Sequence, residues 1–189
     1  NYFLFLYFSF ILQKYYSLNF TSFFKKKTCI FEDNKIVANS FVNDKQTHSE
    51  TLLPMVESTL KSALLTMDDI NGIAVAAGPG SFTGVRIGIS LAKGLAVKNN
   101  LPCVSASALH SMAYLFLDED AVICPVMDAR CNQFYNALFR VQNCTVKRLC
   151  DDRAILCDEL INELKSINNK IILCGDGAEK FYEFSKNLN

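Results

Sequence analysis

From residue 28 onward, hydrophobic and polar positions fall into short and distinct periods. The runs 28–31 and 35–42 predict two strands joined by a tight turn at Glu32, Asp33 and Asn34. Residues 49–65 set Leu52, Leu53, Val56, Leu60 and Ala63 or Leu64 at helical spacing, with Ser49 as the cap. Pro54 falls later than the first turn, which predicts a bent or late-starting helix. The continuous apolar run 72–77 is the pattern of a strand buried on both faces. A glycine-rich turn at 78–84 then opens a helix that runs to about Lys98. Strands at 101–104, 121–127, 133–141 and 170–174 alternate with helices: one capped by Ser107 and reaching Phe116, one at 158–166 and one at 178–184. Strands and helices alternating after an initial hairpin make an α/β fold with a mixed sheet.

Composition narrows the function. The 189 residues carry 19 basic and 19 acidic side chains, a net charge of zero, and half of them are hydrophobic. That excludes a disordered chain, and it excludes one that holds nucleic acid alone through a basic surface. The cysteines are scattered with no C-x-x-C pair, and the two histidines, His48 and His110, lie far apart. Reduced thiols packed in a core are therefore expected, with neither a disulfide framework nor a metal site. Residues 2–12 are nearly all aromatic or aliphatic. The run is too short to span a bilayer and lacks the flanks of a signal peptide, so it reads as an atypical N-terminal edge, with no membrane partner. Lys25, Lys26 and Lys27 behind it read as a solvated turn. A cytoplasmic protein is expected.

Six of the eight glycines, Gly72, Gly78, Gly80, Gly84, Gly88 and Gly94, fall in one strand–turn–helix unit. Such a turn can aim backbone N–H groups at an anion. It is neither a Walker loop nor a G-x-G-x-x-G fingerprint in frame. Gly84, Gly88 and Ala92 also repeat along one helical face, which admits a closely packed neighbour. His110 reads as a packed histidine, Asp128 with Arg130 as a turn-stabilising pair, and Asp176 as a turn former. No carboxylate pair or Ser/His/Asp grouping is readable, so no catalytic residue is assigned.

The string Gly78-Pro79-Gly80-Ser81-Phe82-Thr83-Gly84-Val85-Arg86-Ile87-Gly88 resembles the signature of the TsaB (YeaZ) family. These are the dimerization subunits of the bacterial complex that makes threonylcarbamoyladenosine in tRNA. His48-Ser49-Glu50-Thr51-Leu52-Leu53-Pro54 is similar to the family's His-x-x-x-Leu-x-Pro helix start. Asp68-Asp69-Ile70, the stretch from Leu101-Pro102 to Leu109, Asp128-Ala129-Arg130 with Tyr135, and Gly175-Asp176-Gly177 resemble later family segments. The resemblance covers roughly residues 28–185. Two departures stand out. Family members begin with a strand ending in Asp-Thr-Ser, and the nearest match here, Leu18-Asn19-Phe20-Thr21-Ser22, has Phe20 where the carboxylate belongs. The family also continues beyond the late glycine turn, so a second lobe that is incomplete is expected.

The resemblance implies an actin/hexokinase-like mixed-sheet fold. It implies an atypical segment 1–27 holding the first strand, an N-terminal lobe 28–105 and a C-terminal lobe 106–189. It implies a non-catalytic subunit that binds and stabilises a TsaD-type catalytic partner. That partner's metal site is a His-x-x-x-His helix, whereas here Leu52 stands four residues after His48. A TsaE-type ATPase and tRNA would be met through the complex, and a homodimer is expected when the chain is alone. The partner interface would take Leu52, Leu53, Val56, Gly84, Arg86, Ile87, Gly88 and Leu91. Arg86 would pair with a carboxylate, of the partner or internal, such as Asp69. No cofactor is expected. Gly78, Gly80, Ser81, Thr83, Gly175 and Gly177 are candidates for vestigial phosphate turns with residual nucleotide contact. The alternative function is an ATP-dependent phosphotransferase of the same superfold.

Overall fold

The computed structural model describes residues 2–7, 25–33, 35–43 and 48–186. They divide into two compact units, the first ending at Ala106 and the second starting at Ser107.

The first unit is a sheet with strand order β3-β2-β1-β4-β5. Its strands are β1 (Tyr2–Tyr7), β2 (Lys25–Glu32), β3 (Lys35–Asn43), β4 (Ile70–Gly78) and β5 (Cys103–Ser107). β1 pairs antiparallel with β2 and parallel with β4, which makes the sheet mixed. The motif match at Leu18, Asn19, Phe20, Thr21 and Ser22 lies outside the described residues. The expected turn at Lys25–Lys27 is instead the start of β2, with Lys26 buried. The reason is cooperative: the ladder to β3 runs on from Cys29↔Asn39 through Lys25↔Asn43, and the chain extends to complete it.

Two helices, α1 (His48–Ser62) and α2 (Phe82–Lys98), pack on this sheet. Val56 and Leu60 of α1 and Ala92 and Ala96 of α2 share one core with Ile30, Ile70, Ile73 and Val75 of the strands. α1 runs through Pro54 without a break, because Pro54 is exposed and the missing N–H removes only one helical hydrogen bond. The helix stops at Ser62. Leu64 turns left-handed (φ +57°) and is 94% exposed, so the inward position of that last turn belongs to Ala63.

The second unit is built on the long strand β6 (Ala121–Arg130). Beside it run β7 (Gln133–Asn136) and β8 (Phe139–Gln142), antiparallel, and β11 (Ile171–Cys174), parallel. The sequence predicts a single strand over 133–141, yet the structure breaks it at residues 137–138. Both pieces keep one register, Val126↔Asn136 and Ile123↔Phe139, so Pro125 stands opposite Ala137. A proline has no N–H to give the ladder. The Asn136 side-chain amide fills the gap, donating to the Pro125 carbonyl at 3.0 Å and the Ala137 carbonyl at 3.2 Å.

β9 (Thr145–Arg148) and β10 (Arg153–Leu156) pair outside β8 and β7 respectively. The β8–β9 hairpin turns through Asn143 and Cys144, both left-handed, as a two-residue hairpin with the native strand twist requires. Helices α3 (Ala108–Ala113), α4 (Cys157–Lys165) and α5 (Ala178–Lys186) cover the sheet. Leu160, Ile161 and Phe181 seal one face; Leu109 and Ala113 seal the other.

Candidate functional site

α1 is amphipathic, and burial follows its period: Leu52, Met55, Val56, Thr59 and Leu60 face inward. A hydroxyl cluster fixes its seat. The Thr59 hydroxyl lies 2.7 Å from the Met55 carbonyl and 2.8 Å from the Ser40 hydroxyl, and it also contacts the Thr28 hydroxyl. A carbonyl can only accept, so the single Thr59 proton goes to Met55, and Thr28 and Ser40 donate to Thr59. The helix is thereby pinned to both β2 and β3. Leu53, 42% exposed, points the other way.

On α2 the Ser81 hydroxyl caps the first turn by accepting from the Gly84 N–H at 3.4 Å. Gly84, Gly88, Ala92 and Ala96 form its buried stripe. These small residues are buried within their own unit. Of the eight candidate interface residues, Leu52, Val56, Gly84 and Gly88 are interior and position the helices. Ile87 and Leu91 are half-buried, and Leu53 and Arg86 are exposed. Phe82, 67% exposed, joins them: the Arg86 guanidinium lies over its ring at 3.6 Å. Among the described residues no carboxylate pairs with Arg86. Asp69 instead accepts from the Thr66 N–H and hydroxyl, both at 2.8 Å. These two hydrogen bonds, the backbone one first, hold its carboxyl below the usual range.

The glycine turns have different explanations. Gly78 sits at φ +108°, a conformation that a side chain rarely adopts, in the turn that carries Gly80, Ser81 and Thr83 into α2. Gly175 combines φ +102° with close packing, since a Cβ there would lie 2.3 Å from the Val126 carbonyl oxygen. At Gly177 a Cβ would stand 2.9 Å from the Asp128 nitrogen, and its own N–H donates to the Val126 carbonyl at 3.0 Å. This second turn is thus a seam between β6 and α5, and the Gly177 N–H is committed to the protein.

Asp128 does stabilise its turn, but through the backbone: one oxygen accepts from the Arg130 N–H at 2.8 Å. The other accepts from Lys180 on α5 at 2.8 Å, a partner with no local sequence signal. The Lys180 hydrogen bond is the main reason the Asp128 carboxyl sits below its ordinary range. Asp176 behaves oppositely: desolvation of its carboxyl, with a smaller push from the Asp128 charge, raises it. Arg130, Cys131 and Asn132 are three successive left-handed residues that reverse the chain between β6 and β7.

His110 stacks on Phe139, as a packed histidine would. The Cys124 and Cys174 thiols are each pushed up to about 12, chiefly by burial. Cys124 is paired with Leu173 and Cys174 with Pro125, and the two cysteines belong to the cores on opposite faces of the sheet. Among the described residues no cluster of His, Cys, Asp or Glu could hold a metal ion, and no helix is long and apolar enough to cross a membrane.

Comparison with known proteins places this geometry. A family model described as TsaD, tRNA N6-adenosine threonylcarbamoyltransferase, matches residues 35–187. The tRNA threonylcarbamoyladenosine biosynthesis protein TsaB of Bacillus subtilis is 30% identical over 155 residues, covering 82% of this chain and 68% of the relative. The Escherichia coli protein of the same name is 31% identical over 142 residues, covering 74% and 62%. The chain thus spans about two thirds of the length of these relatives. The solved structure of YeaZ from Pseudomonas aeruginosa shares the fold at a TM-score of 0.65 and 24% identity, covering 82% of this chain and 67% of that one. The fold is thus the mixed-sheet α/β arrangement of that structure. With the glycine signature on α2 and a match to the Bacillus subtilis protein over most of its length, the chain belongs to the TsaB (YeaZ) family.

Proposed function

We propose that the chain serves in the formation of N6-threonylcarbamoyladenosine in tRNA as a non-catalytic subunit. It binds and stabilises a TsaD-type catalytic subunit through the outer face of α1 and α2. Leu53 on α1 and Phe82 and Arg86 on α2 are exposed, Ile87 is half-buried, and Leu91 is half-buried against the core. The observation that carries the reading is the Phe82–Arg86 pair. An exposed aromatic ring and a cation without a described carboxylate partner are the residue types enriched in interface hot spots. In this reading Leu52, Val56, Gly84 and Gly88 hold the two helices at the right depth. The same face pairs with a second copy when the partner is missing, and a TsaE-type ATPase and tRNA are reached through the complex.

The phosphotransferase alternative would need free backbone donors at the glycine turns, and two of these are already engaged. The Gly177 N–H and the Gly84 N–H both have intramolecular acceptors. Co-expression of the intact full-length protein with the TsaD-type subunit of its own organism tests the proposal. The two should co-elute as a heterodimer, and this protein alone should transfer nothing. Failure of the intact proteins to associate would overturn it.

A further inference from the structure

We propose that residues 149–152 form a strap fastened to the start of α3, and that protonation of His110 releases it. The strap has a structural origin. The Leu138 N–H, facing the outer strand, donates not to a strand carbonyl but to the Cys150 sulfur at 3.2 Å. The outer strand makes a matching break. Leu149 still donates to the Leu138 carbonyl at 2.8 Å, and regular pairing resumes only at Arg153↔Asn136. Residues 149–152 bulge out of the sheet between β9 and β10.

The bulge delivers Asp152 to α3. One carboxylate oxygen accepts from the Ser107 hydroxyl at 2.6 Å, and the other pairs with Arg148 at 2.6 Å. Ser107 is the cap of α3, and its hydroxyl oxygen accepts from the His110 N–H at 3.1 Å. Arg148 also donates to the Cys150 carbonyl at 3.2 Å, and its guanidinium lies 4.7 Å from the centroid of the Phe139 ring. The His110 imidazole stacks on that same ring at 5.1 Å and only 4° from parallel. The contacts form a closed circuit: Ser107, Asp152, Arg148, Phe139, His110 and back to Ser107.

The His110 ring therefore packs on Tyr114 from the next turn of its own segment and on Phe139 from β8, and it feels the charges of Arg148 from β9 and Asp152 from the strap. The one anion in this group is already bound to the one cation. A neutral imidazole fits there, whereas an imidazolium puts a second positive charge beside Arg148 with no carboxylate to spare. Burial, and then Arg148, accordingly hold His110 below its ordinary value against the weaker opposite pull of Asp152. A group whose pKa is lowered in the fastened state supports that state above its ordinary value of 6.5. The support is lost as pH falls below it, each pKa unit of difference being worth tenfold in the opening equilibrium.

Hydrogen exchange on the full chain tests this at pH about 7.5 and about 5.5, after correction for intrinsic exchange. Opening of residues 149–152 should rise by up to about tenfold at the lower pH. In His110→Phe, which keeps the flat stack and cannot take a proton, the rise should vanish. His110→Gln, also neutral in this range, should behave the same way and serves if the first variant folds poorly. Asp152→Asn should leave the strap open at both pH values. No rise in the wild-type protein would overturn the proposal. So would an undiminished rise in both His110 variants, which would assign the titration to Asp152 or another group.

Discussion

The guanidinium of Arg86 lies 3.6 Å from the centre of the Phe82 ring, one turn earlier on α2, and both side chains are exposed. A cation–π contact in water is worth only about 0.5–1 kcal/mol, and it falls on the outer side of a helix whose inner side is a stripe of small buried residues. The pair contributes little to folding and presents a preassembled aromatic and cationic surface. Replacing Arg86 by Glu, or Phe82 by Ala, should weaken binding to the TsaD-type partner by about tenfold or more. The melting temperature of the chain alone should change by no more than about 2 °C. Titration calorimetry and a thermal melt check the two halves. Unchanged affinity in both variants would move the interface elsewhere.

The two ends of the glycine inventory should respond in opposite directions. Gly175→Ala places a methyl group 2.3 Å from the Val126 carbonyl oxygen at φ +102°, so it should cost roughly 2–4 kcal/mol in denaturant unfolding. Gly94 lies inside α2 with nothing within 4 Å of an added Cβ. Gly94→Ala should therefore stabilise by about 0.5–1 kcal/mol. Equal effects at both positions would refute the packing account of the late turn.

Thr59→Val keeps the shape of a buried side chain and removes the oxygen to which Thr28 and Ser40 donate. Leaving buried donors without an acceptor should cost about 1–3 kcal/mol, measured by urea unfolding, and Thr59→Ser should recover most of it. A neutral Thr59→Val would mean that apolar packing alone seats α1.

Asp128 carries a pH signature. Its carboxyl is held below its ordinary value of 3.8, first by the Lys180 hydrogen bond. The contribution is therefore complete at neutral pH and is lost as pH falls below that value through the lowered pKa. Both side chains are more than a third exposed or close to it, so the pair is worth only a few tenths of a kcal/mol. Asp128→Asn should lower stability by that amount at pH about 7 and match the wild type near pH about 2. A deficit that persists in acid would place the role of Asp128 in its uncharged contact with the Arg130 N–H.

Periodicity located the helices to within a few residues because Leu52, Val56 and Leu60 repeat at a spacing that only one conformation buries together. The Ser107 cap was equally legible, since a serine before an apolar segment supplies an acceptor that the first turn lacks. The break of 133–141 was not, because it comes from Pro125 on the neighbouring strand, and pairing register is invisible to local pattern. The same limit hid the Lys180–Asp128 pair, formed by residues 52 apart. On α2 the spacing of small residues did not tell an inner face from an outer one. A small-residue stripe is the same signal whether it meets a second molecule or, as Gly84 and Gly88 do, the interior of its own unit.

Binding of a catalytic partner at the outer face of α1 and α2 is decided by one affinity series. The dissociation constant of the intact protein for the TsaD-type subunit would be measured for wild type, Leu53→Asp, Arg86→Glu and the two combined. The wild-type complex should be stable, each single variant weaker by about tenfold or more, and the combined variant without a detectable complex, with all chains folded. Wild-type affinity in the folded double variant would contradict binding at that face.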